Sequence, residues 1–296
     1  MNLIEKQLRE RLQNTFKLYV RHAIKHALNE NETENDILQV IINLQGSLEL
    51  LSKLYVLQFD GWKGIVDIRF HNKTEYEIIS AIDNGTIKTT PYWKNKEFIS
   101  GEIYLDENDK DLLDRFHNLR NQVMHLGAIN HSRDILNEAI WFLVRIISQL
   151  NWQDTLPMRH QYLSNSLEYL LGKNLYNKLI TSSCYVDEAV DRAYQIYDDI
   201  KFCIQCGNSA WGLNEAEDRI CAVCGYRGYE GIFRFTNCPE CGAIDMVVYD
   251  PLNIGCNEYI KGKCCACKEF IKIAKCPECA TVFNFPGSCN FCEDLD

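Results

Sequence analysis

Cys203-Ile204-Gln205-Cys206-Gly207 and Cys221-Ala222-Val223-Cys224-Gly225 are the stretches from which the fold of this chain is most directly read. Two residues between cysteines let one tight turn aim both sulfurs at a single ion, and two such turns close a tetrahedral four-sulfur shell. The glycine after each pair gives the backbone room to turn back. The pattern recurs in Cys238/Cys241, Cys264/Cys267, Cys276/Cys279 and Cys289/Cys292, which makes six Cys-x-x-Cys pairs. Taken in order, these form three four-cysteine sets with inner gaps of 14, 22 and 9 residues. The expectation is three structural zinc ions, with disulfides or an iron–sulfur cluster as the alternatives. Each set is filled by sulfur alone, so no open position is left for a catalytic water. Cys184, Cys256 and Cys265 are left over, and the spacing allows Cys265 to replace Cys264 as a ligand.

Domains below roughly 40 residues rarely fold without staples, and zinc supplies them. Residues 201–296 are therefore expected to form small β-rich units, and they resemble a tandem zinc-ribbon array. Arg219, Arg227, Arg234, Lys261 and Lys263 are interspersed there with Trp211, Tyr226, Tyr229, Phe233 and Phe235. Such residues suit base stacking and phosphate contact. Aromatic side chains equally suit the cores of small ribbons, and residue type alone leaves both uses open.

Outward from the array the chain changes character. Fourteen of its 15 cysteines follow residue 200, so its 296 residues are not one uniform domain. The expected class is mainly α: a helical-bundle domain over 1–150, a helical connector over 151–200 and the ribbons over 201–296. Ile4, Leu8, Leu12, Phe16, Tyr19, Ala23 and Ala27 recur at helical spacing, predicting a first helix over 3–28. A second is expected up to about Leu57, with Asp36 as its cap. Residues 59–105 are punctuated by Gly61, Gly64, Gly85, Pro91 and Gly101, with short strands expected at Ile65–Phe70 and Phe98–Leu105. Helical pattern returns over Glu107–Leu126, Ser132–Leu150, Tyr162–Ile180 and Val186–Lys201.

The net charge is −10, and neither part of the chain is a basic sleeve. Any nucleic acid is therefore expected to be held by a local cluster. The apolar run Ala139–Ile147 is interrupted by Arg145 and is much shorter than the roughly 20 residues of a membrane span. The N-terminus has no signal-peptide core. A cytoplasmic protein with no membrane partner is the expectation.

The candidate for chemistry is Leu119-Arg120-Asn121-Gln122-Val123-Met124-His125-Leu126-Gly127. On a helix, Leu112, Phe116, Leu119, Val123 and Leu126 form the apolar stripe, while Asp114, His117, Asn118, Asn121 and His125 share the polar face. Arg120 lies between the two and can reach over the polar side. A second arginine–histidine pair at the same spacing, Arg21 and His26, falls on the first helix. With His22, these are expected to be surface residues.

The Leu-Arg-Asn-x-x-x-His-x-Gly run resembles the motif of HEPN domains, helical proteins with four to six residues between an arginine and a histidine. Leu48-Glu49-Leu50-Leu51-Ser52-Lys53-Leu54-Tyr55 is similar to the Glu-x-x-x-Lys run of an earlier helix in that family. The resemblance covers roughly residues 1–150 and leaves the ribbons outside it. It implies a metal-independent endoribonuclease that uses the RNA's own 2′-OH and leaves a 2′,3′-cyclic phosphate. His125 would be the acid/base, Arg120 the phosphate clamp and Asn121 a positioning donor. It further implies a homodimer through the helical domain, RNA as substrate, and a role as a toxin or antiphage effector. The ribbons would then bind RNA or a protein or nucleic-acid trigger. Two other readings remain open: a non-catalytic HEPN nucleotide-binding or antitoxin-like protein, and a zinc-ribbon adaptor whose helical part dimerises.

Overall fold

A computed structural model of the chain describes residues 2–29, 33–95, 97, 107–126, 133–149, 166–203, 205–213, 218–229, 234–249, 259–267, 269–289 and 292. They form two compact units, Met1–Ala189 and Val190–Asp296. The first is helical and the second is β-rich.

The helical unit is built on α1 (Leu3–Ala27) and α2 (Glu34–Phe59). Each starts with a reciprocal capping box, Asn2 with Glu5 and Thr33 with Asp36, which satisfies backbone N–H groups that a bare helix start leaves open. The cap of α2 is therefore Thr33 rather than Asp36. The Asp36 carboxylate reaches back to the Thr33 N–H at 2.9 Å and hydroxyl at 2.7 Å. These bonds, the Thr33 hydroxyl's first, then that of His26, hold the carboxyl well below its usual range. Phe16, Val20, Ala23 and Ile24 of α1 and Val40, Ile41, Leu44, Leu48, Leu51 and Leu54 of α2 are buried along the pair. Gly46 makes room for Tyr19, since a Cβ there would lie 2.6 Å from two ring carbons.

By length and composition α2 could cross a membrane, but 72% of its apolar window is buried, as in the core helix of a folded unit. Packed on it are α5 (Glu107–Leu126) and α6 (Arg133–Gln149). Burial on α6 is unbroken over residues 139–148 and includes Arg145, whose guanidinium lies 5.6 Å from the Trp141 ring centroid. Arg115 of α5 pairs with Glu138 of α6.

The segment after α2 holds no strand at Ile65–Phe70. Ile65 ends α3 (Trp62–Ile65), residues 68–70 are a 3₁₀ turn, and one isolated bridge joins Val66 to Thr89. With α4 (Glu75–Asp83), this segment places Ile65, Val66, Ile78 and Ile82 against Ile4, Leu8, Val56 and Leu57. Its apolar residues thus cover one end of the α1–α2 pair, which is why no strand partner is needed. The strand expected at Phe98–Leu105 lies outside the described residues.

In place of one helix over 162–180 there are two, α7 (Ser166–Leu171) and α8 (Lys173–Thr181), which meet at Gly172 and pack on α1. Residues 162–165 lie outside the described residues. The following helix, α9 (Ser183–Ile196), stops before Lys201. Aspartate is a poor helix former, and Asp199 adopts φ 43° while its carboxylate binds Arg219, so the chain passes into a strand.

Two antiparallel meanders make the second unit. The first contains β1 (Asp198–Phe202), β2 (Ser209–Leu213), β3 (Asp218–Cys221) and β4 (Arg227–Tyr229) in that order. The other contains β5 (Arg234–Thr236), β6 (Val247–Tyr249), β7 (Ile260–Cys264), β8 (Phe270–Lys275) and β9 (Val282–Phe285). Its core is Val247, Tyr249, Ile260, Ile271 and Ile273 with Cys238 and Cys264.

Candidate functional site

The twelve paired cysteines come together as the spacing predicts. Cys203, Cys206, Cys221 and Cys224 form one group, Cys238, Cys241, Cys264 and Cys267 a second, and Cys276, Cys279, Cys289 and Cys292 a third. Within each group all sulfurs lie within 4.8 Å of one another. The closest pairs are 3.6 Å apart in the first group, 3.7 and 3.8 Å in the second, and 3.7 and 3.3 Å in the third. A tetrahedral ion with metal–sulfur bonds of about 2.3 Å needs sulfurs about 3.8 Å apart, whereas a disulfide needs about 2.05 Å. These groups fit an ion and not disulfides.

The knuckle geometry is local. The N–H of Gly207 donates to the Cys203 carbonyl at 2.7 Å, and Gly225 and Gly242 repeat the bond to Cys221 and Cys238 at 2.8 and 3.0 Å. All three glycines have φ between 68° and 74°. The third group puts Ala280 in the same place, with φ 62° and a 3.0 Å bond to Cys276, at a steric cost that glycine avoids.

Charge is shared unevenly within each group. Hydrogen bonds from Cys203, Cys221 and Cys224 draw the Cys206 thiol well down, while burial holds Cys221 and Cys224 well up. In the second group burial pushes Cys264 up, but the N–H groups of Cys267 and Ala266 outweigh it and bring it down to about 7. Thr281 brings Cys279 down to about 6 in the third, and the bond to Cys279 raises Cys292. Four sulfurs this close resist a common negative charge until a cation joins them, so metal binding would release protons. The structure selects Cys264 over Cys265: the Cys265 thiol is buried and points to the Phe202 carbonyl at 3.6 Å. Cys184 is exposed, and Cys256 lies outside the described residues.

The helical unit gathers a polar series on α5. Arg120 Nη1 donates to Asn121 Oδ1 at 2.9 Å, and Asn121 Nδ2 meets His117 Nε2 at 3.1 Å. Arginine can only donate, so the Asn121 oxygen faces Arg120 and its NH₂ donates to His117. His117 Nε2 therefore accepts, and Nδ1 carries the proton. Nδ1 is buried, with no hydrogen-bond partner among the described residues. The His117 ring stacks on Tyr92 at 5.5 Å and 23°. Burial pushes the Tyr92 phenol up to about 12, against a hydrogen bond from Gln45 and with further upward pressure from Glu49 and Asp114. Gln45 is itself buried, and its Oε1 also lacks a partner among the described residues. Beside it on α2, Lys53 is 8% exposed and pairs with Glu49 at 2.7 Å.

Arg120 and Asn121 are thus brought together, both half-buried. His125 lies on the last turn of α5, four residues beyond Asn121 and eight beyond His117, and its side chain is outside the described residues. Those steps follow one ridge of a helix. The sequence marked the polar face but gave His117 no role. It offered no signal for Tyr92 or Gln45, which reach the series from other elements. Buried Leu112 and Leu119 lie on the expected apolar stripe.

Arg21 and His26 are not simply surface residues. Arg21 Nε donates to the Leu170 carbonyl at 2.6 Å, and His26 Nδ1 lies 2.6 Å from Asp36 Oδ1, so they tie α1 to α7 and α2. His22 is exposed and lies 3.3 Å from His26.

The basic and aromatic residues of the β-rich unit divide. Arg219 is 1% exposed, donates to the Asp199 carbonyl at 2.8 Å and pairs with its carboxylate. Its guanidinium lies 5.6 Å from the centroid of Trp211, which packs 6.0 Å from Tyr226, and both rings are buried. Arg219, Trp211 and Tyr226 are core. Arg234 is exposed and Phe235 half-buried, and Lys201 Nζ lies 4.7 Å from the Phe235 ring centroid. The side chains of Arg227, Tyr229, Phe233 and Lys261 lie outside the described residues.

In comparisons with known proteins, the chain matches no family model, no curated protein and no solved structure.

Proposed function

We propose that the helical unit is a HEPN-type endoribonuclease that cleaves RNA without a metal ion, acting as a homodimer in the cytoplasm. The observation that carries this reading is the Arg120–Asn121–His117 series, which holds a half-buried guanidinium in one orientation on the helix that also carries His125. Arg120 keeps donors beyond the one committed to Asn121 and grips the scissile phosphate as charge builds on it. The 2′-oxygen attacks phosphorus and gives its proton to an imidazole. The 5′-oxygen leaves and takes a proton from another. The products are a 2′,3′-cyclic phosphate and a 5′-OH. One His125 cannot stand on both sides of the phosphate, so a second α5 across an isologous interface supplies the other. The twelve cysteines hold three zinc ions that stabilise the β-rich unit, and the whole serves as a toxin or antiphage effector.

Brief incubation of zinc-loaded protein with mixed cellular RNA in EDTA, followed by end-group analysis, tests this. Cyclic-phosphate ends are expected, with His125→Ala reducing them roughly 10²- to 10⁴-fold. Asn121 acts through Arg120, so Asn121→Ala should cost about tenfold where Arg120→Ala costs a hundredfold or more. Cleavage that survives His125→Ala would overturn the assignment.

A further inference from the structure

The five-stranded sheet has a second face that the proposed nuclease site does not use. Lys263 stands across from Phe270, and Lys272 across from Phe285. Residues directly opposite each other share a face, and neighbours along a strand alternate. With Ile260, Ile271 and Ile273 in the core, Lys263, Phe270, Lys272 and Phe285 lie on the opposite face, and Tyr259, the residue just before β7, shares the parity of Lys263. Lys272 Nζ lies 4.6 Å from the Tyr259 ring centroid and 5.9 Å from that of Phe285. Those two rings stack at 5.2 Å and 19°. Lys263 Nζ lies 5.7 Å from the Phe270 ring centroid and also reaches the Gln205 carbonyl at 3.3 Å.

Three features argue for a ligand over plain structure. Phe270 is 66% exposed, although the sheet already has a filled core on its other side. Lys272 is exposed and has no carboxylate partner among the described residues. The stretch from Tyr259 to Lys275 carries five lysines and one glutamate, in a chain whose net charge is −10. Of these lysines, strand register places Lys263 and Lys272 on the face that carries the rings. Phe270 and Lys272 are two residues apart, which sets the ring of Phe270 and the Tyr259–Phe285 pair about 7 Å apart along β8.

We infer that this face is a binding platform for single-stranded RNA, with bases stacking on Phe270 and on the Tyr259–Phe285 pair while Lys263 and Lys272 meet phosphates. An unpaired strand offers base faces to the rings; in a duplex those faces are hidden. Only the choice of RNA over DNA rests on the ribonuclease reading.

Fluorescence anisotropy with a labelled oligouridylate, on full-length zinc-loaded protein carrying His125→Ala to prevent cleavage, is the test. Phe270→Ala and Lys272→Gln should each weaken binding about tenfold. Lys272→Gln should also flatten the log-affinity against log-salt slope by about 0.7. Zinc content and circular dichroism should not change, and Lys178→Gln on α8 should leave affinity unaltered. Unchanged affinity in the Phe270→Ala/Lys272→Gln double variant would overturn the platform, as would preference for duplex RNA or displacement by an acidic peptide in its place. Equal binding of oligothymidylate would overturn the choice of RNA. Binding that behaves as expected, from a protein whose unmutated form yields no cyclic-phosphate ends, would break the nuclease reading and leave the platform standing.

Discussion

The two sheets of the β-rich unit use the same ingredients in opposite ways. In the four-stranded sheet, Arg219 and Trp211 are turned inward, and the guanidinium donates to both the carboxylate and the carbonyl of Asp199. In the five-stranded sheet, Lys272, Tyr259 and Phe285 pair on the outer face, with Phe270, 66% exposed, beside them. A cation next to a ring is therefore not a surface signature in itself. Where the cation is buried among protein acceptors it is structural, and where it keeps donors toward solvent it can serve a ligand.

The largest effects that bear on this contrast concern the metal groups, because each sheet has its own. Cys221→Ser should release one zinc and unfold the four-stranded sheet while the other remains, and Cys264→Ser should do the reverse; zinc stoichiometry with hydrogen exchange would check both. If either substitution melts both sheets, the two are one cooperative body and the contrast between them loses its meaning. Next comes Trp211→Ala, expected to destabilise the first sheet by about 3–5 kcal/mol in denaturant titration. Arg219→Ala follows at about 2–3 kcal/mol, chiefly from carbonyls left without a donor, since Asp199 is itself half-exposed. Neither should alter the RNA affinity of the other sheet. Ala280→Gly should raise stability by about 1 kcal/mol by relieving the left-handed backbone, a gain to be read from the midpoint of unfolding. The smallest change is at the outer face, where Phe270→Ala and Lys272→Gln should stay within about 0.5 kcal/mol of the parent. A loss there as large as that for Arg219→Ala would mean the outer pairs are structural as well.

Legibility in the sequence followed the range of the interactions. The α5 bounds, Glu107 and Leu126, match those expected from periodicity, because an amphipathic helix writes its buried face at every third or fourth residue. The stop of α9 at Ile196 was missed, since it depends on Asp199 meeting Arg219, twenty residues away. Strands expected at Ile65–Phe70 became a short helix and a 3₁₀ turn, because those apolar residues pack onto the ends of α1 and α2 without needing a strand partner. At the candidate site, Arg120 and Asn121 were readable as neighbours on one helix. Tyr92 and Gln45 were not, because they arrive from outside it.

The sequence by itself determined the six Cys-x-x-Cys knuckles and the division between helical and β-rich parts, while which knuckles close on one another was left to the tertiary structure. Both depend on local spacing: two residues make a knuckle, and a period of 3.6 makes a helix face. Tertiary structure alone decided that Cys264 and not Cys265 completes a group, that Arg219 is buried, and that Lys272 looks outward. Direction on a pleated sheet reverses with each residue, so it is fixed by the register of strands distant in sequence. Composition records which side chains are present, and only that register decides whether each meets the core or the solvent.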